Sequence, residues 1–245
     1  MYYAIYFSPT YNTKKACEYF TNGDYISIDL IKNSEDITLN SDDIAIIGVP
    51  SYSGRVPAYA KAKLNRIKGN NTKVILISTY GNRAQEDTLI ELSDIVSDLG
   101  FSVIAGMELV GRHSIFKNVA ANRPDGEDFK DYANFKIQIL NKLSSNPLAI
   151  EMPGNRPYKE VKPSTLVPIA TDDCVDCKAC AVACPTKAIS YDNPKITNPN
   201  LCIHCMRCTF CCKFNARIIE PKTYDAMETR LKKVFEGRKP NKLYI

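Results

Sequence analysis

Cysteine spacing constrains this 245-residue chain more than any other feature, because eight of its ten cysteines form two groups with identical intervals. The groups are Cys174, Cys177, Cys180 and Cys184, and, 28 residues later, Cys202, Cys205, Cys208 and Cys212. Three thiolates at intervals of three residues can surround one [4Fe–4S] cluster, while the fourth thiolate points away from it. The spacing therefore predicts iron–sulfur ligation.

Other uses of cysteine fit the pattern less well. A zinc ribbon takes four ligands in two pairs, whereas this segment supplies two matched groups of four. Disulfides need an oxidising compartment, and the N-terminus lacks the basic region and cleavage site of a signal peptide. We therefore expect a cytoplasmic protein. A purely structural role for the clusters stays open, although two clusters close together favour electron transfer.

The segment from about residue 171 to 219 resembles the two-cluster bacterial ferredoxins, in which the fourth cysteine of each group binds the other group's cluster. The resemblance implies one cluster held by Cys174, Cys177, Cys180 and Cys212, and another held by Cys202, Cys205, Cys208 and Cys184. His204 lies inside the second group and not at a ligand position.

Two residues of the second group depart from the ferredoxin pattern. Lys213 follows the last cysteine where the first group has Pro185. Because a nearby ammonium favours added negative charge, we predict that Lys213 raises the reduction potential of the first cluster. Cys211 precedes Cys212 and is an alternative ligand, but the interval after the third cysteine favours Cys212.

The first 145 residues alternate short β-rich runs with helical patterns, which predicts a doubly wound α/β fold with a parallel sheet. Two of the runs are continuously apolar, as is typical of central strands buried on both faces. The predicted strands are Tyr2–Phe7, Asp24–Leu30, Ile44–Val49, Lys73–Thr79 and Ser102–Leu109, and five is the flavodoxin-like count. The predicted helices are Asn12–Phe20, Pro57–Ile67, Ala84–Leu99, Glu127–Leu143 and Lys222–Glu236.

Five prolines and no periodicity between Ser144 and Ala170 predict a boundary between two domains. We expect an α/β domain with the flavodoxin-like strand count at 1–145, a proline-rich linker at 146–170, a small α+β ferredoxin-like domain at 171–219, and a C-terminal helix and basic tail at 220–245. The tail could bind an acidic redox partner, but a solvated face is the commoner case. Without interleaved aromatic residues it does not favour nucleic acid. No apolar run approaches the roughly 18 residues of a membrane span.

Three polar loops follow the first, third and fourth predicted strands, where ligands bind in open α/β sheets. The first loop resembles the flavodoxin phosphate loop, in which hydroxyls and helix N-terminal N–H groups hold a phosphate. Tyr11 stands there in place of the usual glycine. The other two resemble the loops that flank the flavin ring. The resemblance implies FMN binding by Ser8, Thr10, Tyr11, Asn12 and Thr13, by Pro50, Ser51, Tyr52, Ser53 and Gly54, and by Tyr80, Gly81, Asn82 and Arg83.

Together the two halves resemble the flavodoxin–ferredoxin fusions of the EFR1-type ferrodoxin family of anaerobic bacteria and archaea, including the run from Gly111 to Ser114. The resemblance implies electron transfer between FMN, two [4Fe–4S] clusters and protein redox partners, with no catalytic side chain. Two alternatives stay open. One is a flavin-dependent reductase of a small substrate, which could use His113, and the other is a ferredoxin with a flavin-free docking domain. The chain has no G-x-G-x-x-G motif, so we expect a protein electron donor in place of a nicotinamide.

Overall fold

The computed structural model describes residues 1–161, 164 and 166–245. Lys162, Pro163 and Thr165, which belong to the expected linker, lie outside the described residues. The chain divides into two compact units. The sheet unit comprises Met1–His113, Asn118–Val161 and Arg238–Ile245, and the cysteine unit comprises Ser114–Lys117 and Lys162–Gly237.

The described secondary structure begins with a strand and alternates between strands and helices through the sheet unit. In chain order, the strands are β1 (Tyr2–Tyr6), β2 (Tyr25–Asp29), β3 (Ile37–Leu39), β4 (Ile44–Pro50), β5 (Ile67–Gly69), β6 (Thr72–Tyr80), β7 (Phe101–Val110), β8 (Ile169–Ala170), β9 (Arg217–Ile218) and β10 (Lys242–Tyr244). The helices are α1 (Asn12–Tyr19), α2 (Ala58–Leu64), α3 (Thr88–Asp98), α4 (Gly126–Leu143), α5 (Ala179–Ala183), α6 (Arg207–Cys211) and α7 (Pro221–Phe235).

The central sheet of the sheet unit has the strand order β10-β7-β6-β4-β1-β2. Five of these strands, β2, β1, β4, β6 and β7, pair with one another in parallel. The short strands β3 and β5 pair with each other in a separate small sheet. If β3 and β5 are left out and the five parallel strands are renumbered in chain order, their order in the sheet is 2-1-3-4-5, the flavodoxin-like order. The direction in which successive strands are added to the sheet reverses between β1 and β4. The fold is therefore mixed α/β with a mostly parallel central sheet.

The sheet differs from the predicted five parallel strands because β10 adds an antiparallel edge to β7. This strand comes from the segment that the sequence suggested would be a solvated basic tail. Lys242 forms an ion pair with Glu108 at 3.2 Å, and the Leu243 side chain packs against the core. A three-residue strand is too short to show a hydrophobic period, so the sequence pattern does not reveal it.

Helices cover both faces of the sheet. Ala105 and Met107 of β7 belong to a buried cluster that includes residues of α1 and α4. Gly106 points to the opposite face, because successive residues of a strand alternate, and a Cβ there would contact Leu89 of α3. Cys17, which the sequence suggests is a small buried side chain, is fully buried in the cluster beneath α1.

The segment 146–161 runs along the sheet unit. The Ile150 N–H donates to the carbonyl of Val103 at 2.8 Å, and Met152 is buried. The carboxylate of Asp87 accepts hydrogen bonds from the backbone N–H groups of Asn155 and Lys159 at 2.8 and 2.7 Å. These contacts hold the proline-containing segment in place, although the segment has no regular secondary structure.

The cysteine unit is built from two copies of one motif. The short helices α5 and α6 pack against each other, and β8 and β9 pair antiparallel. Helix α7 begins where the Glu220 carboxylate accepts the N–H groups of Lys222 and Thr223. Within the described ranges, no helix is both long and apolar enough to cross a membrane.

Candidate iron–sulfur and flavin sites

The eight cysteines of the repeat line two cavities within the cysteine unit. The first cavity is lined by Cys174, Cys177, Cys180 and Cys212, and the second by Cys184, Cys202, Cys205 and Cys208. Each cavity therefore takes three cysteines of one group and the fourth cysteine of the other.

The backbone around each cavity contains residues in the left-handed conformation. Lys178 and Met206 have φ values of 62° and 58° directly before α5 and α6, and Asp176 and His204 have φ values of 54° and 55°. Each such residue costs roughly 1–2 kcal/mol when it is not glycine. Alternating right- and left-handed residues curl the chain into a concavity lined by N–H groups, a geometry found at many iron–sulfur sites.

The donor set and the walls of both cavities fit a [4Fe–4S] cluster. Each cavity offers four sulfur donors, and apolar side chains such as Phe214 in the first and Ile189 in the second complete the walls. Burial raises the pKa of the Cys205 thiol to about 11 and that of Cys208 to about 12. Because an iron ligand must be a thiolate, these cysteines need the positive charge of bound iron to lose their protons at neutral pH.

Three neighbouring side chains lie outside the ligand sets. The Cys211 thiol donates to the carbonyl of Cys208 at 3.5 Å and lines neither cavity. The Nδ1 atom of His204 lies 3.0 Å from the carbonyl oxygen of Leu166. Lys213 is exposed, so solvent screens its charge. Lys213 also lines neither cavity, and its effect on the reduction potential of a cluster stays a prediction.

Sequence reasoning missed two buried cations beside the thiols. Arg217 is 2% exposed and lines the first cavity, and Arg207 is 9% exposed and lines the second. Burial raises the pKa values of Cys180 and Cys208, and the Arg217 charge opposes both rises. Comparison of the two cysteine repeats is the signal that could have found Arg217, because it replaces an isoleucine of the first repeat.

The first polar loop of the sheet unit joins β1 to α1. Ser8 is buried, and its Oγ accepts the N–H of Lys14 at 2.9 Å in the first turn of the helix. The Thr13 hydroxyl lies 2.7 Å from that of Thr79, and the Asn12 amide donates to the carbonyl of Arg112 at 2.9 Å. Asn12 and Thr13 therefore brace the loop. Ser8, whose hydroxyl can still donate, and Thr10, whose side chain is half-buried, are left as the predicted phosphate ligands.

Tyr11 occupies the position where the phosphate loop of flavodoxins commonly has glycine. Its φ of 66° is left-handed, which explains why glycine suits this position. Its side chain is 36% exposed. The tyrosine therefore keeps the backbone conformation of the loop and adds a bulky ring at its surface.

The second polar loop follows β4 and is a tight turn. Tyr52 and Arg55 exchange backbone hydrogen bonds of 3.0 and 3.1 Å. Between them Ser53 and Gly54 have φ values of 54° and 88°, the two positive values that a type I′ hairpin turn requires. The Tyr52 ring packs edge-on against Phe7 with centroids 6.3 Å apart. Phe7 thus supports the Tyr52 ring, which is half-buried.

The third polar loop follows β6 and is held by the C-terminal segment of the same unit. Tyr80 is 8% exposed, and its hydroxyl donates to the carbonyl of Pro240 at 3.2 Å. The Asn82 side chain accepts the N–H of Lys239 at 3.1 Å. Arg83 forms an ion pair with Glu86. Tyr80 is therefore buried and hydrogen-bonded within the sheet unit. Tyr52 is the more accessible of the two tyrosines predicted to contact the flavin ring.

His113 packs directly against Gly81 of the third loop, where a Cβ would clash with the imidazole. Burial, with a smaller contribution from the Arg83 charge, lowers the pKa of His113 to about 4. We therefore predict a neutral imidazole at pH 6. Because the ordinary value is about 6.5, its contribution to stability is complete above pH 6.5 and is lost as the pH falls towards 4.

This titration can be followed by NMR of the imidazole protons, since the chain has two histidines and His113→Gln identifies the signal. A midpoint near 4 is expected. A midpoint at or above 6 would contradict the buried, neutral state.

Comparison with known proteins identifies the cysteine region. A family model described as a 4Fe-4S binding domain matches residues 167–190, which include the whole first cysteine group. The chain thus contains a ferredoxin-type domain for at least one [4Fe–4S] cluster. The apo crystal structure of an NADH:FMN oxidoreductase is similar over 61% of this chain and 90% of that chain, with 18% identity and a TM-score of 0.42. That similarity is too low to assign an activity, and no curated protein matches the chain significantly.

Proposed function

We propose that this protein transfers electrons between an FMN in the sheet unit and two [4Fe–4S] clusters in the cysteine unit, with separate proteins as electron donor and acceptor. The division of eight cysteines between two cavities of four carries the proposal. When bound, such clusters exchange single electrons, and a flavin exchanges one or two. We assign the protein to the cytoplasm and to the flavodoxin–ferredoxin fusion family as parts of the same proposal.

The proposed role of the cysteine unit is to hold and shield the clusters. Cys174, Cys177, Cys180 and Cys212 would bind one, and Cys184, Cys202, Cys205 and Cys208 the other. Apolar wall residues limit the access of water, which is one of the properties that set the potential of a cluster. No side chain needs to act as a nucleophile or base.

Three features of the sheet unit support FMN. The three polar loops follow β1, β4 and β6, which are neighbours in the sheet. The first two flank the point where the strand order reverses, the usual position of ligands in such folds. The N-terminus of α1 favours a phosphate through its dipole and through N–H groups of the first turn, which have no partner within the helix. We propose that Ser8 and Thr10 hold the phosphate and that Tyr52 contacts the ring, while Tyr80 and Asn82 support the third loop.

Anaerobic purification followed by cofactor analysis tests the whole proposal. We expect roughly eight irons, eight inorganic sulfides and one acid-released FMN for each chain. An iron-replete protein without flavin would support the docking-module alternative. Rapid bleaching of a bound flavin by NAD(P)H without another protein would favour the reductase alternative. If the anaerobically purified protein contained no iron, the cluster assignment would be refuted.

Thr10→Asp tests the phosphate site. A carboxylate beside the α1 N-terminus should preserve folding, since it stabilises such a terminus by roughly 0.3–1 kcal/mol, but it would repel the FMN phosphate. We expect the Kd for FMN to rise at least tenfold, which is about 1.4 kcal/mol, and the Kd for riboflavin to change little. Calorimetric titration of both flavins measures the difference.

The neutral variant Thr10→Asn is the matched control for that substitution. It should alter FMN binding much less than Thr10→Asp does. Equal losses of FMN and riboflavin in Thr10→Asp would argue against a phosphate at this loop.

A further inference from the structure

Arg217 places a buried cation in the wall of the first cysteine cavity. The residue is 2% exposed and lies on β9 beside Cys174, Cys177, Cys180 and Cys212. Its Nη2 donates to the Thr197 hydroxyl at 2.6 Å. Among the described residues, its Nε and Nη1 groups have no hydrogen-bond acceptor. A buried guanidinium with two unused donors costs several kcal/mol unless another group accepts them.

The internal repeat places different residues at this position of the two cavities, although the charge of Arg217 also opposes the rise in the pKa of Cys208 in the second cavity. The segment Cys184–Ile189 corresponds to Cys212–Arg217, and both segments have an alanine before their last residue. Their fourth residues, Lys187 and Asn215, share the left-handed φ values of 54° and 53°. Ile189 lines the second cavity as Arg217 lines the first. At this equivalent position, one repeat supplies hydrocarbon and the other supplies a charge.

We infer that Arg217 donates hydrogen bonds to the sulfur atoms of the cluster in the first cavity and raises its reduction potential. The inference rests on the proposed function, because it requires a cluster in that cavity. Four thiolates give the site a negative charge, and the added electron makes it more negative. A guanidinium inside the cavity wall favours that state through its charge and through its hydrogen bonds to sulfur.

Other cations are placed less well for this effect on the first cluster. Lys213 is exposed. The Lys178 side chain is half-buried, and its ammonium lies 5.0 Å from the centre of the Tyr191 ring. Arg207 belongs to the second cavity. Among the described residues, Arg217 is therefore the buried cation in the wall of the first cavity.

A redox titration of the anaerobic, cluster-loaded protein, followed by electron paramagnetic resonance, tests the inference. In Arg217→Ile, which restores the residue of the first repeat, we expect one cluster to become harder to reduce. The ratio of reduced to oxidised cluster at a fixed potential should fall at least tenfold, equivalent to about 59 mV for one electron. Arg217→Lys, which keeps the charge, should shift by less than half as much.

Lys213→Ile is the control for a general loss of charge. We expect a smaller shift, which disappears at 1 M salt because the screening length is then about 3 Å. Unchanged potentials in an iron-replete Arg217→Ile protein would overturn the inference and leave the proposed function intact. If Arg217→Ile does not retain iron, Arg217→Gln provides the same neutral test, and unchanged potentials there would overturn the inference too. Absence of iron from the wild-type protein would instead refute the proposed function.

Discussion

Replacing Cys212 by alanine is expected to remove about half of the bound iron, whereas replacing its neighbour Cys211 should leave the iron content unchanged. Cys212 lines the first cavity with the first three cysteines of the other group. The Cys211 thiol is directed to the backbone carbonyl of Cys208. Iron and sulfide analysis of the two variants, prepared identically, measures the difference. Equal iron losses in both variants would contradict this assignment of the ligand.

Double substitutions distinguish crossed from uncrossed ligation. If each cavity holds one cluster, Cys174→Ala with Cys212→Ala affects a single cluster, so the double variant should keep about half of the iron. Cys174→Ala with Cys184→Ala affects both cavities and should lose nearly all of it. Such non-additivity is expected when two residues serve one unit and additivity when they serve separate units. The reverse ranking of the two double variants would show that each cysteine group binds its own cluster.

The grouping of the cysteines around the two cavities could be predicted because the relevant information is local. Three cysteines at equal intervals lie close together, and the resemblance to two-cluster ferredoxins pairs the fourth cysteine with the other group. The charge environment could not be predicted in the same way. Lys213 is next to a cysteine in the sequence but is exposed, whereas Arg217 is five residues away from Cys212 and lines the cavity. Proximity in the sequence therefore indicates the ligands but not the buried charges around them.

The sheet shows a similar division. Central strands β4 and β6 are predictable because both faces are buried, which requires continuous apolar runs. The short strand β10 depends on contacts with β7, more than 130 residues away in the chain. The same C-terminal segment also explains why the third polar loop differs from the expectation. The position of Tyr80 at the end of a strand predicts an available side chain, but Tyr80 is buried and its hydroxyl donates a hydrogen bond to the carbonyl of Pro240. Loop position can be read from the sequence, whereas the segment that packs over a loop cannot.

Replacing Asp128 by alanine is expected to lower the free energy of unfolding by about 3–5 kcal/mol, the usual cost of removing one partner of a buried ion pair. Asp128 is fully buried and accepts several hydrogen bonds from Arg123, which is 6% exposed in its side chain. It also accepts the amide of Asn241 at 2.8 Å. Loss of the carboxylate therefore leaves a buried guanidinium without its counterion and weakens the attachment of the C-terminal segment.

Asp36→Ala is the matched control, because Asp36 pairs with Arg66 at 3.1 Å where both side chains are exposed. Such surface pairs contribute about 0–1 kcal/mol. Urea unfolding of the full chain, followed by circular dichroism, compares the two variants. Burial opposes ionisation of Asp128, but hydrogen bonds from Arg123 and the Asp125 backbone hold its pKa below the ordinary value. The stabilisation should therefore be present at neutral pH and be lost below about pH 4, as the carboxylate becomes protonated. If both substitutions cost the same at pH 7, the buried pair does not anchor the C-terminal segment.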